Sequence, residues 1–215
     1  MKRTLPFALL LLCTVACSVT PRLKLQKIRA GDPKYISGFT EMLRDTLLPD
    51  GTWLEYRVCD GTRYSDLYLL WGRDKHRDTI CWRGLIGIGD TDYLPQYMEM
   101  KKGYHWFDMD CAAIECAGLM LLSTRGDGYS RQFMGVLDEF PEREAILYSG
   151  SLYGSEIKEI FCFHTDKRTQ DTLRLPEAGY FYRAELRGDS LLTEFSSEAY
   201  GDGEISRYVF SVDGK

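Results

Sequence analysis

The chain has 215 residues, 44% of them hydrophobic and 27% charged, with 27 Lys plus Arg against 32 Asp plus Glu and a formal net charge of −5. That length holds one large or two small domains with a sizeable core. The acidic balance gives no general attraction to nucleic acid or to anionic lipid, so no nucleic-acid partner is expected.

Met1-Lys2-Arg3 is a short basic start, residues 5–16 form an apolar run broken by Pro6 and Thr14, and the small residue Ala16 stands just before Cys17. This is the layout of a signal peptide over residues 1–16. The apolar run falls short of the ~20 residues needed to span a bilayer. Thr14-Val15-Ala16-Cys17 resembles the lipobox of bacterial lipoproteins, whose cysteine becomes the mature N-terminus and carries diacylglycerol and a further acyl chain such as palmitate. It matches at the small residue and the cysteine, and departs at Thr14, where the family usually has Leu. The resemblance covers residues 1–18. It implies lipid attachment at Cys17 and an extracytoplasmic protein held on a cell membrane or outer membrane, where several acyl chains anchor more firmly than one. The competing reading is an ordinary secretory signal cut after Ala16 or a little later. Loss of residues 1–16 removes Lys2 and Arg3 and no acid, so the mature chain has 199 residues and a net charge of −7.

Residues 18–31 lack an apolar period and carry Arg22, Lys24, Lys27 and Arg29 with no acid, so 17–31 reads as lipidated cysteine and tether. A helix is expected next. Asp32 suits its cap and Pro33 its first position, and Tyr35, Ile36, Phe39, Met42, Leu43 and Leu47 follow at three- and four-residue spacing. Pro49-Asp50-Gly51 is its stop.

From Thr52 the pattern changes to short aromatic and β-branched runs between turn residues, which predicts antiparallel hairpins. Strands are expected over 53–59, 64–71 and 79–86, then 111–123, 131–138, 144–148, 157–164, 172–175, 180–187, 191–195 and 205–212. Residues 87–103, with Gly-x-Gly-Asp-x-Asp and a proline, read as a long irregular loop, and loops of that length are more often functional than connective. The fold expected is mainly β, one domain over 32–215: an antiparallel sheet, β-sandwich or meander with one N-terminal amphipathic helix. The alternative is a small β-propeller-like body, although the turns are unevenly spaced and no blade signature recurs.

Five cysteines remain once Cys13 is discarded and Cys17 is lipidated. Cys59, Cys81, Cys111, Cys116 and Cys162 sit in strand-like text and read as small buried hydrophobes. If 53–59 and 79–86 flank a third strand, Cys59 and Cys81 lie about 9–10 Å apart, beyond disulfide reach.

No motif for a phosphate loop, a zinc site or any cofactor is present. The densest reactive cluster is His105 to Asp110, where alternation puts Asp108 and Asp110 on one face; a strand end leading into a turn also favours Asp. Asp90-Thr91-Asp92 lacks the full ligand set of a calcium loop, and His76 and His164 are isolated from each other and from His105. Ser149-Gly150-Ser151-Leu152-Tyr153-Gly154 misses a nucleophile elbow by one position. Tyr93, Tyr97, Tyr104 and Trp106, in or beside the long loop, make the best candidate recognition patch, with core packing as the competing role. The reading is a membrane-tethered binding or accessory subunit of a cell-envelope assembly, with an envelope protein or glycan as partner. The alternative is a glycan-binding protein or glycoside hydrolase using carboxylates such as Asp108, Asp110 or Glu115 across a cleft.

Overall fold

The computed structural model describes residues 24–29, 43–60, 65–86, 95–109, 118–151, 155–199 and 203–211. Within them, the apolar runs pair in chain order as antiparallel meanders, forming three sheets. Sheet one holds β1 (Gln26–Lys27), β2 (Thr46–Leu47), β3 (Trp53–Cys59), β4 (Ser65–Arg73) and β5 (His76–Ile86), with β1 and β2 both lying along the free edge of β3. Sheet two holds β6 (Gln96–Lys101), β7 (Tyr104–Asp108), β8 (Gly118–Ser123) and β9 (Ser130–Met134). Sheet three holds β10 (Val136–Phe140), β11 (Ala145–Tyr148), β12 (Ile157–His164), β13 (Thr169–Arg187), β14 (Ser190–Ser196) and β15 (Ile205–Ser211).

Side chains alternate across a strand, so a strand that is apolar at every position is covered on both faces. β8 is such a strand: Met120 and Leu122 join Phe107, Leu54, Leu67 and Leu69 in a core shared with sheet one. Its other face carries Leu119 and Leu121, which pack with Tyr104, Trp106, Phe133, Ile146 and Phe163 in a core shared with sheet three. β11 repeats the arrangement, with Ile146 and Tyr148 toward sheet two and Ala145 and Leu147 toward a third core. The sheets therefore stack face to face, and sheet two is the middle layer.

Sheet three closes partly on itself. β13 pairs with β12 through its first half and with β14 through its second. The β12 ladder slips between Ile157 and Glu159, opposite the stretch of β13 that contains Pro176, which cannot donate to a ladder. At the bend a Cβ on Gly179 would lie 3.1 Å from the Phe195 Cβ, a tight contact, so the glycine eases the close approach of the two strands. The two halves then face each other across Ile160, Cys162, Leu173, Leu191 and Phe195, a half-barrel.

Several expectations are corrected. Residues 30–42 lie outside the described residues, and the end of the expected helix is not helical: Leu43 is a buried turn residue and Thr46–Leu47 pairs with Leu54 and Trp53. Pro49-Asp50-Gly51 makes the β2–β3 hairpin instead, with Gly51 at φ +87° and its N–H donating to the Leu48 carbonyl. The free edge of β3 supplies the main-chain partners of Thr46–Leu47. β1, with Ile28 buried beside it, belongs to the folded body although its residues read as tether. Gln96–Lys101 is strand where a loop was expected; five of its six residues are exposed, so no buried face marked it. Residues 172–187 form part of one bent strand, not two. Sheets of five, four and six strands give no support to the propeller alternative.

Candidate functional site

Cys17, Tyr93, Asp90-Thr91-Asp92, Asp110, Glu115, Cys111 and Cys116 lie outside the described residues. The remaining members of the aromatic patch are separated by sheet two. Tyr97 is 37% exposed on β6, whereas Tyr104 and Trp106 are buried on the opposite face. The Tyr104 hydroxyl donates to the Thr165 carbonyl at 2.8 Å, and the Trp106 indole N–H donates to the Lys101 carbonyl at 3.1 Å. Register explains the split: Tyr97 opposes Phe107, and Phe107 points away from its neighbour Trp106. Those two rings are therefore core, not recognition surface.

His105 shares the Tyr97 face and has no exposed side-chain surface. Its Nε2 lies 3.0 Å from Asp50 Oδ2 and 3.2 Å from Thr52 Oγ1. The Asp50 carboxylate also accepts from the Thr52 N–H and hydroxyl, each at 3.0 Å. Burial opposes the Asp50 charge, but the Thr52 hydrogen bonds and His105 outweigh it and hold the carboxyl below its ordinary pKa. Burial pushes the His105 pKa down, against the pull of Asp50 and with the help of Arg73. His105 is thus neutral at pH 7, donating through Nε2. Its Nε2 contacts pin the β2–β3 turn to sheet two, while its Nδ1 is buried without a hydrogen-bond partner among the described residues.

His164 pairs with Asp171 at 2.8 Å. Among the described residues no group of three or more His, Cys, Asp or Glu side chains could hold a metal ion, and no helix is long and apolar enough to cross a membrane. Cys59, Cys81 and Cys162 are free, with β4 between the first two as expected. Cys162 is buried, with its pKa pushed up to about 11, while Cys81 is exposed and departs from the buried reading.

A groove of about 590 Å³ lies at the slipped end of the β12–β13 ladder. Phe161 contributes an aromatic surface, its ring centroid 5.2 Å from that of Tyr148. One wall is the Ser149-Gly150-Ser151 turn, whose place is fixed by backbone bonds from Ser149 and Gly150 to the carbonyls of Gly135 and Met134. Gly135 has φ +64°, and a Cβ there would strike the Ser151 carbonyl oxygen at 1.9 Å, so the wall depends on that glycine. The other wall carries charge: Arg174 Nε donates to Glu159 Oε1 at 2.9 Å, with Lys158 and Glu156 beside them. An aromatic ring, hydroxyls and charges of both signs suit a polar ligand. The slip that opens the groove is invisible in sequence, where Glu159 and Arg174 are two ordinary strand charges fifteen residues apart.

No family model and no curated protein matches the chain. Among solved structures it is similar, at 9% identity, to a crystal structure of an ACO/RPE65 chimera, covering 76% of this chain and 44% of that one with a TM-score of 0.26. It is also similar to cobalt-substituted ACO of Synechocystis, at 9% identity over 74% of this chain and 46% of that one, TM-score 0.24. The chain spans less than half the length of either structure.

Proposed function

We propose that this protein is a membrane-tethered extracytoplasmic lipoprotein, attached through lipid on Cys17, and acts as a binding or accessory subunit of a cell-envelope assembly. Support for the address comes from the basic start, the apolar run and Thr14-Val15-Ala16-Cys17. Support for binding comes from the β12–β13 groove, the observation that carries the reading: Phe161 with hydroxyl and ion-pair walls, set on sheet three. A polar segment of an envelope protein fits that lining. A glycan is the second occupant, favoured by the combination of the Phe161 ring with the Glu156 and Glu159 carboxylates, which suit stacking and hydroxyl recognition.

The test is purification of the full-length protein from detergent-solubilised membranes, beside Phe161→Ala and Cys17→Ala, with mass spectrometry of bait and co-purifying proteins. The expected result is an acylated Cys17 and a stoichiometric partner, or binding of soluble envelope glycan fragments, that Phe161→Ala loses. An unacylated chain retaining residues 1–16 overturns the anchor. Equal capture by Phe161→Ala overturns the groove.

A further inference from the structure

We propose that the free edge of sheet one, built from β1 and β2, rests on the membrane and binds anionic lipid headgroups; this rests on the lipid anchor proposed at Cys17. The first argument is reach. Lys24 begins the described chain seven residues after Cys17. Whatever path they take, seven residues span at most about 25 Å. Gln26 and Lys27 are already paired with β3, so the anchor holds this particular edge near the bilayer.

The second argument is charge. The mature chain is net negative, and an anionic surface repels most of its body. Basic side chains gather at this edge: Lys24, Lys27 and Arg29 are all exposed, and Arg22 stands two residues before Lys24 in the sequence. Lys27 is paired with Asp45, which also accepts from Arg57 at 2.9 Å, and Arg57 pairs in turn with Glu55 at 2.7 Å, so these two acids are already held by cations of the same edge. Beside them on β2, Leu47 is 72% exposed, the most exposed of the large hydrophobic side chains among the described residues. Cations flanking a protruding apolar residue suit the boundary between headgroups and acyl chains. The result is a fixed orientation, with the sheet-three groove carried on a layer further along the stack.

The test is hydrogen–deuterium exchange on full-length protein whose Cys17 acylation has been verified by mass. It is reconstituted in phosphatidylcholine vesicles with or without phosphatidylglycerol. Peptides over residues 24–29 and 43–48 are expected to exchange several-fold more slowly with phosphatidylglycerol present, and the slowing is expected to vanish at high salt. Lys24→Glu combined with Leu47→Gln, two exposed positions outside the core, is expected to abolish the slowing while leaving the urea midpoint unchanged. Acylated, vesicle-bound protein with no slowing at this edge, or with slowing at 205–211 instead, overturns the inference and leaves the anchor standing. An unacylated Cys17 overturns both.

Discussion

The middle sheet and the last half-sheet solve the same problem, how to keep polar groups in a β layer, in opposite ways. Along β7 and β8 of sheet two both faces are covered, so partners for polar groups must be supplied internally. Arg168, from the β12–β13 turn of sheet three, reaches across to do this. Its guanidinium donates to the Tyr104 hydroxyl and the Ser123 hydroxyl, each at 3.0 Å, pairs with Asp127 at 2.6 Å, and lies 4.1 Å from the Tyr129 ring centroid. In the half-sheet of β13–β15 only one face is covered. Its outer face carries a ladder in which Glu194 accepts from Arg183 at 2.6 Å and from Arg207 at 2.7 Å, with both arginines largely exposed. Those hydrogen bonds hold the Glu194 pKa down to about 2. The middle layer joins neighbouring sheets, and the outer ladder joins only adjacent strands.

The comparison predicts unequal costs. Trp106→Ala, which empties the core between sheets two and three and removes the ring under Lys101, is expected to destabilise by about 3–5 kcal/mol in urea unfolding. Arg168→Met is expected to cost about 1–3 kcal/mol, because it leaves the Tyr104 and Ser123 hydroxyls and Asp127 without that donor. A cost for Arg168→Met no larger than for Arg207→Met would break the contrast.

Acid separates the two regions more finely. His105 has a folded pKa below its ordinary 6.5, so the unfolded chain takes up a proton first. Its contribution is full above pH 6.5 and is lost as pH falls toward the folded value. Glu194 acts lower: its contribution is full above the ordinary 4.5 and is lost as pH falls toward about 2. Urea midpoints measured against pH are expected to show both limbs, with His105→Gln flattening the upper and Glu194→Gln the lower. Identical pH curves for wild type and His105→Gln would remove His105 from the account. The smallest effect is expected at Val209, 67% exposed on the outer face, where Val209→Thr should stay within about 0.5 kcal/mol.

Much of the fold is legible because burial writes itself into strands. Gly118 to Ser123 is apolar at nearly every position because both faces are packed, and 53–59 alternates because one face is not. β6 left no trace of burial, since an exposed edge strand is held by main-chain bonds to β7. The candidate patch failed at Tyr104 and Trp106 for a related reason: aromatic residues are chosen alike for cores and for surfaces, and only register tells which face of sheet two each ring occupies.

Composition and strand rhythm were determined by the sequence alone, because backbone pairing and alternation are local. The order of the layers, the pairing of His105 with Asp50, the reach of Arg168 and the groove opened by a slipped ladder were decided only in three dimensions. Each depends on contacts between residues far apart in the chain, whose meeting is fixed by packing and register and by no local preference.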